Sequence, residues 1–198
     1  MISSDYKSMY KMHTTPTSSS PDMLPPLEKQ LLHEYRELVA DIELEITRIS
    51  EALPKNILQC RKGCSECCIE FSVFPLEAVV LISHMKGPVI DTITPPQRCV
   101  FLQQDCCSTY EARPILCRTQ GIPIGYLKDE ESSIEVSACP VNFQEKFRFS
   151  EEGILFMDRF NYRLAELNQR YCEAAGLDPQ QRIILSDLLS EIRKKRQQ

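Results

Sequence analysis

The chain has 198 residues, 42% of them hydrophobic and 26% charged, which suits one soluble domain with a buried core. Its net charge of −5 argues against a general nucleic-acid or anionic-membrane surface, and the basic run Arg193–Arg196 reads as a solvated helix end. No apolar signal core stands in the first 23 residues, and the longest apolar run, Ala78–Ile82, is too short to cross a bilayer. The expected setting is therefore the reducing cytoplasm, where ten cysteines serve as metal ligands rather than as disulfides.

Residues 1–24, rich in Ser, Thr and Pro, are expected to be a disordered tail ahead of a single domain spanning 25–198. Pro25-Pro26 then opens a long helix over 26–53. Leu27, Leu31, Tyr35, Leu38, Ile42, Ile46, Ile49 and Leu53 recur on it at steps of three and four, and Pro54 ends it. That stripe suits a helix packed within the chain or the seam of a helix-mediated dimer, so monomer and dimer both stay open. Phe71–Phe74 reads as extended. Pro75–Met85 reads as a short helix stopped by Gly87-Pro88, with His84 facing its C-terminal end. Residues 88–98 form a Pro-rich connection. Ser108–Ala112 is a turn of helix cut short by Pro114. Ile122–Leu127 and Ser133–Ala138 read as a small hairpin that returns the chain to Cys139. Residues 151–196 are helical again. One stripe runs through Phe156, Phe160, Leu164, Leu167 and Tyr171 up to Gly176, and a last helix opened by Asp178-Pro179 carries Ile183, Ile184, Leu188 and Ile192.

The sequence is organised around Cys60-x3-Cys64-x2-Cys67-Cys68, four thiols in nine residues. A tight turn at Gly63 lets Cys60, Cys64 and Cys67 face one centre. Adjacent Cys67 and Cys68 should diverge, so one of them serves a second site or none. Downstream follow Cys99-Val-Phe-Leu, Cys106-Cys107, then Tyr110-Glu-Ala-Arg113-Pro-Ile-Leu-Cys117-Arg118, and finally Cys139-Pro140. Cys172 fits a periodic helix and reads as a small buried hydrophobe.

Taken together, these residues resemble the YkgJ-like cysteine-cluster family, described as zinc- or iron-chelating. Its C-x3-C-x2-C-C opening, C-x-F-L, C-x-I-Y-x-x-R-P-x-x-C-R and late Cys fall here on Cys60, Cys64, Cys67, Cys68, Cys99, Cys107, Cys117 and Cys139. Thr109 replaces the usual Ile, Cys106 and Cys172 have no place in the pattern, and the likeness covers roughly residues 58–142. It implies metal or cluster binding through those eight thiols and no known reaction.

Zinc and a four-iron iron–sulfur cluster both accept four thiolates, so eight thiols match two such sites. Arg61, Lys62, Arg98, Arg113 and Arg118 flank the thiols, to balance their charge or to brace loop carbonyls. Tyr110, Arg113 and Arg118 are expected in the wall of the site. Cys60, Cys64 and Cys67 also match the spacing of radical S-adenosylmethionine enzymes, which leaves an enzyme with an open cluster as the alternative. Against it, Glu66 stands where that family usually has an aromatic residue, and no glycine-rich cofactor loop follows. No nucleophile–base pair is nominated, because His13, His33 and His84 all lie outside the motifs. The reading is thus a mainly α fold with a small hairpin. In it, an irregular cysteine-rich module (58–142) packs among the long N-terminal helix and the C-terminal helices, and its partner or substrate is unidentified.

Overall fold

Helix α1 (Lys29–Ala52) turns its apolar stripe inward: Leu38, Ile42 and Ile49 are fully buried, and Leu31 and Tyr35 nearly so. It starts three residues later than the pattern suggests, because Glu28 still has an extended backbone. Leu53, just before Pro54, is extended as well and stops it, since a residue before proline is held out of the helical region. In the computed structural model, residues 24–61, 63–85, 97–128, 133–143 and 147–197 are described. Most of the expected tail (1–23), Lys62, the Gly87-Pro88 stop with most of the Pro-rich connection, and the hairpin turn lie outside them. Leu24, assigned to the tail on sequence, packs against the core.

The stripe of α1 is covered by helix α4 (Asp158–Ala175), which buries Phe160, Leu164, Leu167 and Tyr171 and ends at Gly176 in the left-handed conformation (φ 68°). The acidic side of α1 is used too. Glu34 pairs with Arg170, and Asp41 pairs with Arg163 at 2.6 Å, so the seam between these helices is fastened along its exposed edge. The apolar face that suggested a dimer is thus occupied within the chain.

Helix α2 (Pro75–His84) is buried on all sides from Pro75 to Leu81 and stands between two apolar clusters. One is the α1–α4 core. The other joins Val73, Ala78 and Leu81 to Phe101, Ala112, Leu188 and Ile192. Buried Asn168 of α4 ties the arrangement: its Oδ1 accepts from Leu76 N–H at 3.2 Å, and its Nδ2 donates to the Pro179 carbonyl at 3.0 Å. His84 is exposed at the end of α2, with Nδ1 3.0 Å from the Val80 carbonyl oxygen.

The strands are short. Ser72–Val73 (β1) pairs antiparallel with Ile183–Ile184. Leu102–Gln103 (β2) and Cys106–Cys107 (β3) form a hairpin, followed by a 3₁₀ turn at Tyr110–Ala112 and the four-residue helix α3 (Ile115–Arg118). Ile124–Lys128 (β4) and Ser133–Ser137 (β5) make the expected hairpin, and Leu155–Phe156 (β6) adds to β4 in parallel.

Two expectations are corrected here. Phe156 belongs to β6, not to the stripe of α4, because Leu155 N–H is drawn to the Pro123 carbonyl beside β4. Asp178-Pro179 opens no helix. Asp178 Oδ1 accepts from Gln180 N–H at 2.9 Å, closing a turn, and the β-branched pair Ile183-Ile184 (β7) joins the β1 ladder. The last helix, α5, is Leu185–Gln197. The described residues are mainly helical with small sheets, and no described helix is long and apolar enough to cross a membrane.

Candidate thiol centre

The loop 57–70 winds through two successive turns. Cys64 N–H bonds to the Arg61 carbonyl at 2.9 Å, and Cys68 N–H bonds to the Ser65 carbonyl at 3.0 Å. Gly63 sits between the first two cysteines with φ 91°, a conformation that other residues adopt at a cost. Ser65 fastens the loop to the downstream segment by accepting from Arg98 at 2.8 Å and donating to Asp105 at 3.0 Å. The backbone does the same where Cys99 N–H bonds to the Cys68 carbonyl at 3.0 Å.

All ten cysteines are free thiols. Burial pushes the Cys60 thiol up, an Asn142 hydrogen bond opposes this, and the neighbouring thiols of Cys139, Cys64 and Cys67 push it further. The thiols acting on Cys68 are different: a hydrogen bond from Cys67 pulls it down, burial raises it, and Cys99, Cys107 and Cys117 oppose its charge. Burial raises Cys99 to about 11, with Cys107 contributing. Cys117 is pushed well up by burial, then by Cys99 and Cys107. The motif thiols therefore form two overlapping neighbourhoods: Cys64, Cys67 and Cys139 lie near Cys60, and Cys99, Cys107 and Cys117 lie near Cys68. Cys67 belongs to both, hydrogen-bonded to Cys68 and acting on Cys117 as well. Among the described residues no three or more His, Cys, Asp or Glu stand in the geometry of a formed metal site.

Each neighbourhood has its own scaffold. Asn142 is buried and makes three bonds in the first: Oδ1 accepts from Gln59 N–H at 2.8 Å, and Nδ2 donates to the Gly121 carbonyl at 2.8 Å and lies 3.4 Å from Cys60 Sγ. Sequence reading missed it. The signal was a lone amide three residues past the last motif cysteine, and its own N–H bonds to the Cys139 carbonyl at 3.1 Å. Gly121 approaches so closely that a Cβ there would lie 2.6 Å from Cys60 Sγ, and its φ is 93°. Gly63 has a similar φ, but nothing lies within 4 Å of where its Cβ would be. Gly121→Ala is thus expected to cost clearly more than Gly63→Ala, where only the strain of positive φ, about 1 kcal/mol, applies. Urea unfolding midpoints of the two variants check this; equal losses would mean the Cys60 contact does not matter.

In the second neighbourhood, Gln104 and Asp105 both have positive φ (48° and 58°) and close β2–β3 as a two-residue turn of the type favoured in hairpins. Alternation along β3 sends Cys106 and Cys107 to opposite faces. Cys107 reaches the thiol group and its Sγ is 3.6 Å from Thr109 Oγ1. Cys106 faces away, so Cys106→Ser is expected to leave stability within about 0.5 kcal/mol of wild type, measured by thermal unfolding. Cys172 is fully buried in α4, hydrogen-bonded to Asn168, and apart from both groups.

The expected wall residues divide in role. Arg118 braces the loop: its Nε donates to the Arg113 carbonyl at 2.9 Å, one Nη to the Glu111 carbonyl at 2.6 Å, and the other pairs with Glu43 of α1. Arg113 instead lays its guanidinium 4.0 Å over the ring of Tyr110, which is 56% exposed, and its buried Nε has no hydrogen-bond partner among the described residues. Arg113 is extended, as its position before Pro114 requires. Among the flanking cations, the charge of Arg98 favours the thiolates of both Cys67 and Cys99.

Beneath α3 lies fully buried Glu77. One of its carboxylate oxygens accepts from Ile115 N–H at 3.0 Å and the other from Phe74 N–H at 3.4 Å, pinning the helix that carries Cys117. Burial raises its carboxyl above the ordinary range, against these hydrogen bonds. With the folded value raised, the folded state binds more protons than the unfolded one once the pH exceeds the ordinary glutamate value. Glu77's contribution is then complete below that value and lost as pH rises through the folded one. The thermal midpoint of wild type relative to Glu77→Gln should therefore fall on going from pH 4 upward; a flat difference would contradict it.

Comparison with known proteins returned no matching family model, no similar curated protein and no similar solved structure.

Proposed function

We propose that this chain is a metal-binding protein that holds zinc or an iron–sulfur cluster through its clustered cysteines. In this reading it is a small cytoplasmic accessory protein with a structural or redox centre, related to the YkgJ-like cysteine-cluster proteins. What supports the reading is the gathering of the eight motif thiols around Cys60 and Cys68 in two overlapping groups, enough for two sites of the four thiolates that zinc and iron–sulfur clusters each take. Cys60, Cys64, Cys67 and Cys139 would hold one centre, and Cys68, Cys99, Cys107 and Cys117 the other. Bound zinc would cross-link the loops, whereas a cluster would add electron transfer. Arg98 offsets the thiolate charge between them. Cys139 gives the first group a fourth thiol, so no observation favours the three-thiolate alternative of an open cluster.

The test is anaerobic purification with metal analysis and a visible spectrum. Two equivalents of zinc, or iron and sulfide for two clusters, are expected per chain. Cys60→Ser and Cys117→Ser should each remove about half and the double variant nearly all, because one thiolate in four is lost at each site. A protein that carries no metal after reconstitution with either zinc or iron and sulfide overturns the proposal.

A further inference from the structure

Beside the thiol groups lies a cavity of about 570 Å³, between α4, β4 and the segment leading into α2. That volume falls within the range of small-molecule sites, roughly 300–1,000 Å³. Its walls are mainly apolar: Phe71, Phe74, Ile122, Tyr126, Met157 and Leu164 contribute. Three charged residues also line it, and they differ in what they have left to offer. The carboxylates of Glu77 and Glu70 are turned to backbone N–H groups, Glu77 as described and Glu70 to Ser186 N–H at 3.1 Å. The cation, Arg182, is held in place instead. One Nη donates to the Ser72 carbonyl at 3.0 Å, and the guanidinium stacks 4.1 Å over Phe74. Among the described residues these are its hydrogen-bond and ring partners; the Glu77 carboxyl in the same wall is near enough to favour its charge but makes no hydrogen bond to it. A guanidinium has five N–H donors in a planar fork that matches a carboxylate, and here that fork stands at the wall of an apolar cavity.

We infer that this cavity binds a small, largely apolar carboxylate, with Arg182 holding the carboxylate and the aromatic and aliphatic walls taking its body. The assignment does not rest on the metal reading. Cys139 and Gly121 line the same cavity, so a ligand there would sit next to the Cys60 neighbourhood.

The probe is 1-naphthylacetate, set against its neutral amide, titrated calorimetrically into the full-length protein as purified. Wild type should bind the carboxylate at least about tenfold more tightly than the amide, as charge-assisted hydrogen bonds are roughly twice as strong as neutral ones. Arg182→Met should abolish that preference. Arg182→Lys keeps the charge without the fork and should reduce the preference, so it serves if the methionine variant does not fold. Ala165→Phe, at an exposed position of α4 on the cavity wall, should block both ligands. Failure of naphthylacetate to bind wild type, equal affinity for acid and amide, or undiminished binding by Ala165→Phe each overturns the assignment. Metal content is measured separately on the same samples, so a chain that holds no metal leaves the carboxylate site standing or falling on its own titration.

Discussion

If the thiols hold metal as proposed, stripping it with a strong chelator under reducing conditions is expected to lower the thermal midpoint by tens of degrees. Structural zinc in small modules contributes an apparent 10–16 kcal/mol or so, as much as the roughly 5–15 kcal/mol of net stability of an ordinary domain. The loss should be uneven. Cys68 and Cys107 pack against the cluster that contains Cys99, Phe101, Ala112 and the inner face of α5, so that cluster should loosen with the thiol loops. The α1–α4 seam has its own fully buried side chains and ion pairs and should outlast it. Amide hydrogen exchange would then show α5 and residues 97–118 losing protection first, with α1 and α4 retaining most of theirs. An unchanged midpoint after complete metal removal would refute the coupling of folding to metal.

The second large effect concerns none of the eight motif thiols. Asn168→Ala is expected to cost about 3–5 kcal/mol, because it leaves two backbone groups unpaired inside the core and opens a small void. The orphaned groups are the N–H of Leu76 in the first turn of α2 and the carbonyl of Pro179 in the turn before β7. Asn168→Asp should be nearly as damaging, since it retains an acceptor for Leu76 but loses the donor to Pro179 and buries a charge. Denaturant unfolding at neutral pH measures both. A loss below about 1 kcal/mol for Asn168→Ala would mean that water or a shifted backbone replaces these bonds.

Helices were legible where one period persisted. The stripe from Leu31 to Ile49 marked α1, and Phe160 to Tyr171 marked α4, because a helix with one wet face repeats that signal over several turns. The two-residue strands were not legible, since Leu155-Phe156 and Ile183-Ile184 are too short to show alternation. Their strand character comes from distant partners at Ile124 and Ser72. At the thiol centre, spacing identified the cysteines and Gly63. It could not reveal how the thiols group, because that depends on which ones the fold brings near each other, Cys139 near Cys60 and Cys99 near Cys68. Nor could it separate the two arginines of the Arg-Pro-x-x-Cys-Arg stretch. Both carry the same donors, and only the nearness of Glu43 and the Glu111 carbonyl makes Arg118 the brace and leaves Arg113 stacked on Tyr110.

The hairpin Leu102–Cys107 has a consequence for tolerance to error. Strands of two residues carry little alignment information of their own, so the register rests on the Gln104-Asp105 turn, and a slip by one position would turn every side chain to the opposite face. In most hairpins such a slip would remove a functional group from its site. Here the neighbour of Cys107 is another cysteine, so the slipped hairpin would present Cys106 inward and still offer a thiol to the group. The doubled cysteine makes this stretch indifferent to the parity of its own pairing.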